Sequence, residues 1–312
     1  MITTPTFHLG SPTQIGPLTV FPVWTDAPEP KRPIRTSVPR GATIGEVPGG
    51  AVVERLTVDN PTAKTFLLPA GAVFEGGQQH RALLHSVVVD AESTIAIDVR
   101  CVEQGRWSGG GRQRLHQRRA PLAVRGALSG IVGPRDNPLG HDLRRGDQGR
   151  VWSQVNRYEQ VGGRSRTSSL LDATDTRAEE IRRELANLRP LLGQRGVLIG
   201  IGGHPALLEV FDHPKLFAAE WEPILTGVAA DAAFTPVIPT TGARARYFAR
   251  HISGRALHPW AQAGAGVAVE GRDSLAVIDG VVDGVVDSRT NDRAGQPIHI
   301  TALNARHALI AA

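Results

Sequence analysis

Between residues 51 and 101 the chain breaks into short apolar segments: AVVERLTVDN, TFLLPAG, AVFEGG, ALLHSVVVD and STIAIDVRC. Asn-Pro, Pro-Ala-Gly, Gly-Gly and Asp-Ala-Glu-Ser separate them. Short runs rich in Val, Ile, Leu and Thr with turn residues between them predict antiparallel strands, in a sheet, a sandwich or a barrel. Alternation is clearest over Thr94–Cys101. There Ile95, Ile97, Val99 and Cys101 fall on one face, and Asp98 and Arg100 on the other. Cys101 is thus expected to be buried, with Glu103 beyond it on the same side.

The flanking regions read differently. Ile15 to Trp24 predicts one strand interrupted by Pro17 and Pro22, and the proline-rich stretch 26–40 predicts an extended loop. SGGGRQRLHQRR, residues 108–119, predicts a basic, glycine-rich loop. Helices are expected over Ala120–Ser129, started by Pro121, and over Gln148–Gln160, with loops at 130–147 and 162–175. A firmer helix is expected from Thr176 to Arg189, because Thr176 and Glu179 have capping-box spacing and Pro190 follows. Gly196–Ile201 and Ala206–Phe211 flank a Gly-Gly-His-Pro turn and predict a hairpin. Asp212 is the expected cap of the next helix, with Pro214 in its first turn and more helix over Ala229–Phe234. Further β runs follow at Gly266–Glu270, Ser274–Ile278, Val281–Val286 and Pro297–Thr301. The repeat Asp279-Gly-Val-Val-Asp283-Gly-Val-Val-Asp287 is too short and apolar for calcium and reads as hairpin turns. The expected fold class is α+β. A β-rich N-terminal half, an antiparallel sheet or sandwich, precedes a mixed helix and hairpin C-terminal half. Residues 1–312 are expected to form one such domain, subdividable into a β-rich 1–130 and a mixed 131–312.

Composition narrows the function classes. Hydrophobic residues make up 41% and charged residues 21%, as in soluble globular chains. No run approaches the roughly 20 apolar residues of a membrane helix, and MITTPTFHLGSP lacks the basic and apolar regions of a signal peptide. A cytoplasmic location without membrane contact is therefore expected. One cysteine excludes an internal disulfide and a Cys-rich zinc site. The net charge of +5 is carried almost entirely by arginine, which forks onto phosphates and carboxylates, so an anionic partner suits it. No nucleic-acid motif is present, and nucleic acid is not an expected partner.

Two clusters carry the chemistry. Glu75-Gly-Gly-Gln78-Gln79-His80-Arg81 follows one strand, and Cys101-Val-Glu103-Gln104-Gly-Arg106-Trp107 ends another. In the first, glycines permit close backbone approach to a ligand, and Glu75, Gln78 and Arg81 supply polar contacts. In the second, Cys101 as a nucleophile needs a nearby cation to lower its pKa, whereas its alternation places it among aliphatics. Glu103 is the better chemical candidate, as a general base, a ribose-hydroxyl ligand or half of a buried ion pair. Arg106 and Trp107 combine a phosphate fork with an aromatic platform. Glu75, His80, His85, Cys101 and Glu103 would supply metal donors if strands brought them together as on a cupin-type sandwich. There is no His-x-His spacing, and no metal ligand or cofactor is assigned. The sequence also contains no Ser-His-Asp arrangement, P-loop or CxxC, and Gly200-Ile-Gly202-Gly203 lacks the dinucleotide fingerprint.

FEGGQQHR (Phe74–Arg81), CVEQGRW (Cys101–Trp107), GVLIGIGGHPALLEVFDHPKLFAAEWEPIL (Gly196–Leu225) and IHITALNA (Ile298–Ala305) together resemble a bacterial family of uncharacterised activity. It is the "ARG and rhodanese-phosphatase-superfamily-associated protein domain" family, type one. The resemblance runs from about residue 14 to the end, and His80 stands where the family run has asparagine. The family name records association with ADP-ribosylglycohydrolase-type and phosphatase-type proteins, which implies a role in NAD or ADP-ribose metabolism. The expectation is a small anionic or nucleotide-like ligand held by Arg81 and Arg106, with Trp107 stacking and Glu103 on ribose or acting as base. A non-catalytic scaffold and a metal-dependent β-sandwich enzyme are the alternatives.

Overall fold

The alternation of Thr94–Cys101 is realised as a strand whose Ile97, Val99 and Cys101 side chains are sealed inside a closed barrel. The structure, a computed structural model, describes residues 1–30, 34–131, 146–163, 165–284 and 295–311. In chain order the first strands are β1 (Ile2–Thr3), β2 (Phe7–Leu9), β3 (Thr13–Ile15) and β4 (Leu18–Thr25). Then come β5 (Thr43–Glu46), β6 (Arg55–Asn60), β7 (Phe66–Leu68), β8 (Ala72–Gly76), β9 (Arg81–Leu83), β10 (Val87–Val89), β11 (Ser93–Cys101) and β12 (Arg112–Arg119). Helices α1 (Leu122–Leu128), α2 (Gln148–Gly162) and α3 (Leu170–Leu185) follow. The hairpin β13 (Gly196–Ile201) and β14 (His204–Phe211) leads into α4 (Pro214–Ala229) and α5 (Gly242–Ile252). The chain ends with β15 (Ala256–Ala263), β16 (Gly266–Arg272), β17 (Ala276–Asp283) and β18 (Pro297–Asn304).

The fold is α+β with antiparallel pairing throughout its named strands. Strands β11, β6, β5, β12, β8 and β9 close the barrel. A larger sheet runs β1-β15-β16-β17-β18-β14-β13-β4-β2, with β3 on β4, so it takes strands from both ends of the chain. One face of this sheet packs on the apolar stripe of α5, Ala245, Phe248, Ala249 and Ile252. The other packs on α4, through Phe217, Ile224 and Val228. The barrel has its own interior of Ile44, Leu56, Val58, Phe74, Leu83, Ile97 and Val99. Helices α1, α2 and α3 cover its outside through Val73, Ala82 and Val102. Among the described residues no helix is long and apolar enough to cross a membrane.

Barrel and sheet meet at a polar joint. Glu209 on β14 is fully buried and accepts from Arg125 of α1 at 2.7 Å. His299 of β18 places Nε2 3.0 Å from Glu209 and Nδ1 2.7 Å from Ser86 Oγ. Arg119 of β12 lies 3.6 Å from Glu209, donates to Glu220 of α4 at 2.9 Å, and donates to the carbonyls of Pro69 and Ala70. Burial opposes ionisation of Glu209, but Arg125, His299 and Arg119 outweigh it and hold the carboxyl well below the usual range. Burial pulls His299 down, which favours the neutral ring. A Ser–His–carboxylate chain therefore exists in space although no sequence motif announces it. It is sealed from solvent and joins three separate segments.

Several local expectations are corrected. Pro17 follows Gly16 in a β3–β4 hairpin turn, and Pro22 continues inside β4 opposite Val197 instead of breaking it. Residues 112–119 form a barrel strand, not a loop. Gln113 pairs with Ile44 and Gly76, and the arginines find carboxylates: Arg114 with Glu75 at 2.8 Å, Arg118 with Asp175 at 2.5 Å and Arg119 with Glu220. Helix α3 starts earlier than Thr176. Ser169 caps it by accepting from Asp172 N, and Leu170 and Leu171 are buried in its first turn. The cap of α4 is His213, whose side chain accepts from Lys215 N, not Asp212. Residues 230–234 continue as a 3-10 turn. Asp279-Gly280 is no turn but the middle of β17. A Cβ on Gly280 would meet Ile300 Cδ1 at 2.5 Å and His299 O at 2.7 Å, so the glycine permits close strand packing. Most of the expected 130–147 loop, and Asp287, lie outside the described residues.

Breaking a buried ion pair leaves an uncompensated charge and costs about 3–5 kcal/mol. Glu209→Gln is therefore expected to destabilise the protein by that order in urea unfolding. An exposed pair such as Arg177–Glu180 contributes under about 1 kcal/mol, so Glu180→Gln should move the midpoint little.

Candidate functional site at the barrel mouth

The two polar clusters meet at one end of the barrel because β9 pairs with both β8 and β11. The β8–β9 connection, residues 77–80, sits beside the segment that leaves β11. Gly77 (φ 55°) makes the turn, and a Cβ there would fall 2.0 Å from Gln113 Nε2 and 2.9 Å from Glu46 Oε1. Backbone strain and space both exclude a side chain.

Glu103 is the centre of a clamp. Arg106 grips it with both nitrogens of its side edge, Nε to Oε1 at 3.0 Å and Nη2 to Oε2 at 2.6 Å. Thr167 donates to Oε1 at 2.7 Å and the His80 backbone N–H to Oε2 at 3.0 Å. The His80 ring nitrogen lies 3.6 Å from Oε2. Burial opposes ionisation of Glu103 most strongly. The donations from Arg106, Thr167 and His80 together exceed it, and the carboxyl stays below its ordinary pKa. For His80 burial dominates the pull from Glu103 and favours the neutral ring. Arg106 also donates to the carbonyls of Gly77 at 2.7 Å, Gly76 at 3.2 Å and Ser108 at 3.0 Å. Every donor of Arg106 thus has a protein acceptor, and Glu103 is an anchored anion rather than a poised base.

The remaining predicted residues separate. Cys101 is fully buried, donates from Sγ to Glu103 O at 2.7 Å, and has its thiol pKa pushed up by burial. That environment belongs to an inert thiol. Glu75 is held by Arg114 away from the clamp, and this bond lowers its pKa. Gln78 donates to Gly109 O at 3.1 Å, just beyond the second cluster, and Gln79 ties the two clusters together by donating to Glu103 O at 2.8 Å. His85 packs edge-on against Trp260 instead of joining His80. Among the described residues no group of three or more His, Cys, Asp or Glu side chains is arranged to hold a metal ion.

Arg81 stands apart. It is 0% exposed, and its Nη1 donates to Gln79 Oε1 at 3.2 Å. Its Nε and Nη2 have no hydrogen-bond partner. Trp107, 52% exposed, lies over the guanidinium at 5.7 Å from ring centroid to Cζ. Burial lowers the Arg81 pKa, against the pull of Glu46 and Glu103. Arginine stays charged nevertheless. Two neighbours were not singled out in the sequence. Glu46 of β5 takes the Gln78 N–H on Oε1 at 3.1 Å, and Gln113 of β12 donates to Gln79 O at 3.0 Å. Their Oε2 and Oε1 atoms, respectively, are buried without partners. Period-two reading of Gln113 and Leu115 could have found the second. Thr167 carries no local signal.

The chain belongs to the ARG and Rhodanese-Phosphatase-superfamily-associated Protein domain family, ARPP-1, whose model matches residues 6–303. No curated protein and no solved structure matches it.

Because the Glu103 pKa is depressed on folding, its stabilisation is full above the unfolded value of about 4.3 and is lost as pH falls through the lower folded value. Glu103→Gln should lower stability at pH 7 by about 1–3 kcal/mol. It should also make the decline of stability below the unfolded value shallower than in the wild type, as read by denaturant midpoints across pH.

Proposed function

We propose that in this family member the barrel mouth binds a phosphorylated, nucleotide-like ligand, of which ADP-ribose and NAD-related molecules are the first to test. The observation that carries this reading is the buried guanidinium of Arg81. Two of its donors are bare, and an exposed tryptophan lies above it. A bare buried donor costs roughly 1–3 kcal/mol, and more when charged. An oxyanion meeting both nitrogens of the side edge would recover that cost as a bidentate, charge-assisted pair. Trp107 offers a face on which a base can stack, and turning its ring outward would open the path to Arg81. The family's association with ADP-ribosylglycohydrolase-type proteins points the same way by analogy only.

In this reading Glu103 and Arg106 are positioning residues. They fix the β11 exit against residues 76–80 and so set the places of Arg81 and Trp107. A scaffold reading of the CVEQGRW block draws on the same saturation of the clamp, which leaves no oxygen of Glu103 bare. The two readings differ at Trp107, which has no structural duty in the clamp.

Thermal unfolding with AMP, ADP, ADP-ribose and NAD tests the proposal. A ligand at a hundredfold excess over its Kd stabilises by about 2.7 kcal/mol, so the melting temperature should rise by several degrees. The rise should vanish in Arg81→Lys and shrink in Trp107→Ala, while unliganded Trp107→Ala melts like the wild type. No rise with any of the four, or equal rises in both variants, leaves the scaffold reading.

A further inference from the structure

The mouth contains more than one unmet requirement, and together these define a ligand class. Building on the proposed anion site at Arg81, we infer that the group bound deepest is a hydroxylated oxyanion, a sugar phosphate or sugar acid whose hydroxyls donate alongside its charged group. An anion alone would satisfy Nε and Nη2 of Arg81 but would leave Glu46 Oε2 and Gln113 Oε1 bare. Both are acceptors: one belongs to a carboxylate and the other to an amide whose nitrogen is already committed to Gln79 O. A ligand that fits must bring hydrogen-bond donors together with its negative charge.

These atoms belong to one connected series of contacts. Glu46 Oε1 holds the Gln78 N–H, Gln113 Nε2 holds Gln79 O, and Gln79 Oε1 holds Arg81 Nη1. Residues 78, 79 and 81 thus link both free acceptors to the free guanidinium edge, and Gly77 admits the Glu46 and Gln113 side chains against the backbone. A phosphate placed beside Glu46 with no donor between them would be repelled. Hydroxyls of the attached sugar remove that repulsion by donating to the carboxylate. Gln113 then accepts a further hydroxyl. The base of a nucleotide is left to the exposed face of Trp107, so the sugar and its anion, not the base, supply the deep contacts.

Calorimetric titration of the full chain with ribose 5-phosphate, 2-deoxyribose 5-phosphate, ribonate, ribose, inorganic phosphate and AMP tests this. Ribose 5-phosphate should bind well above inorganic phosphate and ribose. Ribonate binding as tightly would assign the site to sugar acids, and its failure would assign it to sugar phosphates. Glu46→Gln keeps the oxygen that holds the Gln78 N–H and should weaken ribose 5-phosphate and AMP about tenfold, the scale of one hydrogen bond to a charged group. Inorganic phosphate should not weaken, and should tighten as the repulsion from Glu46 is removed. Removing a hydroxyl from the ligand asks the same question without touching the protein, and 2-deoxyribose 5-phosphate should lose affinity on a similar scale. Equal binding of ribose 5-phosphate and inorganic phosphate, or AMP and both pentose phosphates bound alike by wild type and Glu46→Gln, overturns the inference. Either result leaves the nucleotide reading standing if AMP still binds through Arg81. If none of these compounds nor any nucleotide binds, both fall together.

Discussion

Glu209 has no contact with solvent, and three segments of the chain converge on it. Arg125 comes from α1, Arg119 from the end of β12 and His299 from β18, while Glu220 of α4 takes the far side of Arg119. Two carboxylates and two guanidiniums balance there, and burial keeps His299 neutral. Desolvation of four charges is expensive, and apolar residues of the same volume often serve stability as well. What the charges add is direction. Arg119 also donates to the carbonyls of Pro69 and Ala70, and Ser86 Oγ accepts the Ala70 N–H while facing His299. The barrel is thus joined to the large sheet by directional hydrogen bonds and ion pairs from three segments.

The mouth of the barrel depends on that joint through β12. Its last residues are held by the joint, and its first residues supply Gln113 to the Gly77 turn. The clamp of Glu103 does the corresponding work on the other side. It takes donors from residue 80, from residue 106 and from Thr167 ahead of α3, so the barrel exit, the loop after it and the helical layer are bound to one carboxylate. Removing it would free the segment bearing Trp107 without disturbing the strands themselves.

Much of this was legible in residues, and the failures have physical causes. Alternation placed Cys101 inside and revealed the β-rich half, because one buried face imposes a period of two. The hairpin of β13 and β14 was legible from its Gly-Gly turn. The basic stretch Arg112–Arg119 misled, since charge reads as solvated surface while its arginines were to be paired with Glu75, Asp175 and Glu220, residues far off in the chain. Asp279-Gly280 misled because a dipeptide favoured in turns also suits a strand crowded by Ile300. Helix α5 went unread although Ala245, Phe248, Ala249 and Ile252 follow the helical period behind Thr241. At the site the two clusters were legible, but their division of labour was not. Arg106 is saturated by Glu103 and the carbonyls of Gly76, Gly77 and Ser108 while Arg81 meets Gln79, and these partners come together only in space.

The contrast between the two arginines is therefore the informative one. Both are drawn from the same barrel end, and both present the same guanidinium edge. Arg106 meets Glu103 with it and finishes its remaining donors on three carbonyls. Arg81 is more deeply buried and has nothing on that edge. A fold that gives every donor of Arg106 an acceptor has the means to complete Arg81. Buried polar groups are almost always satisfied, and a bare guanidinium edge linked through residues 78 and 79 to two bare acceptors is a cost that packing alone does not return. Loss of stability at that point is understandable if the missing partners arrive from outside the chain, with Trp107 covering the place until they do.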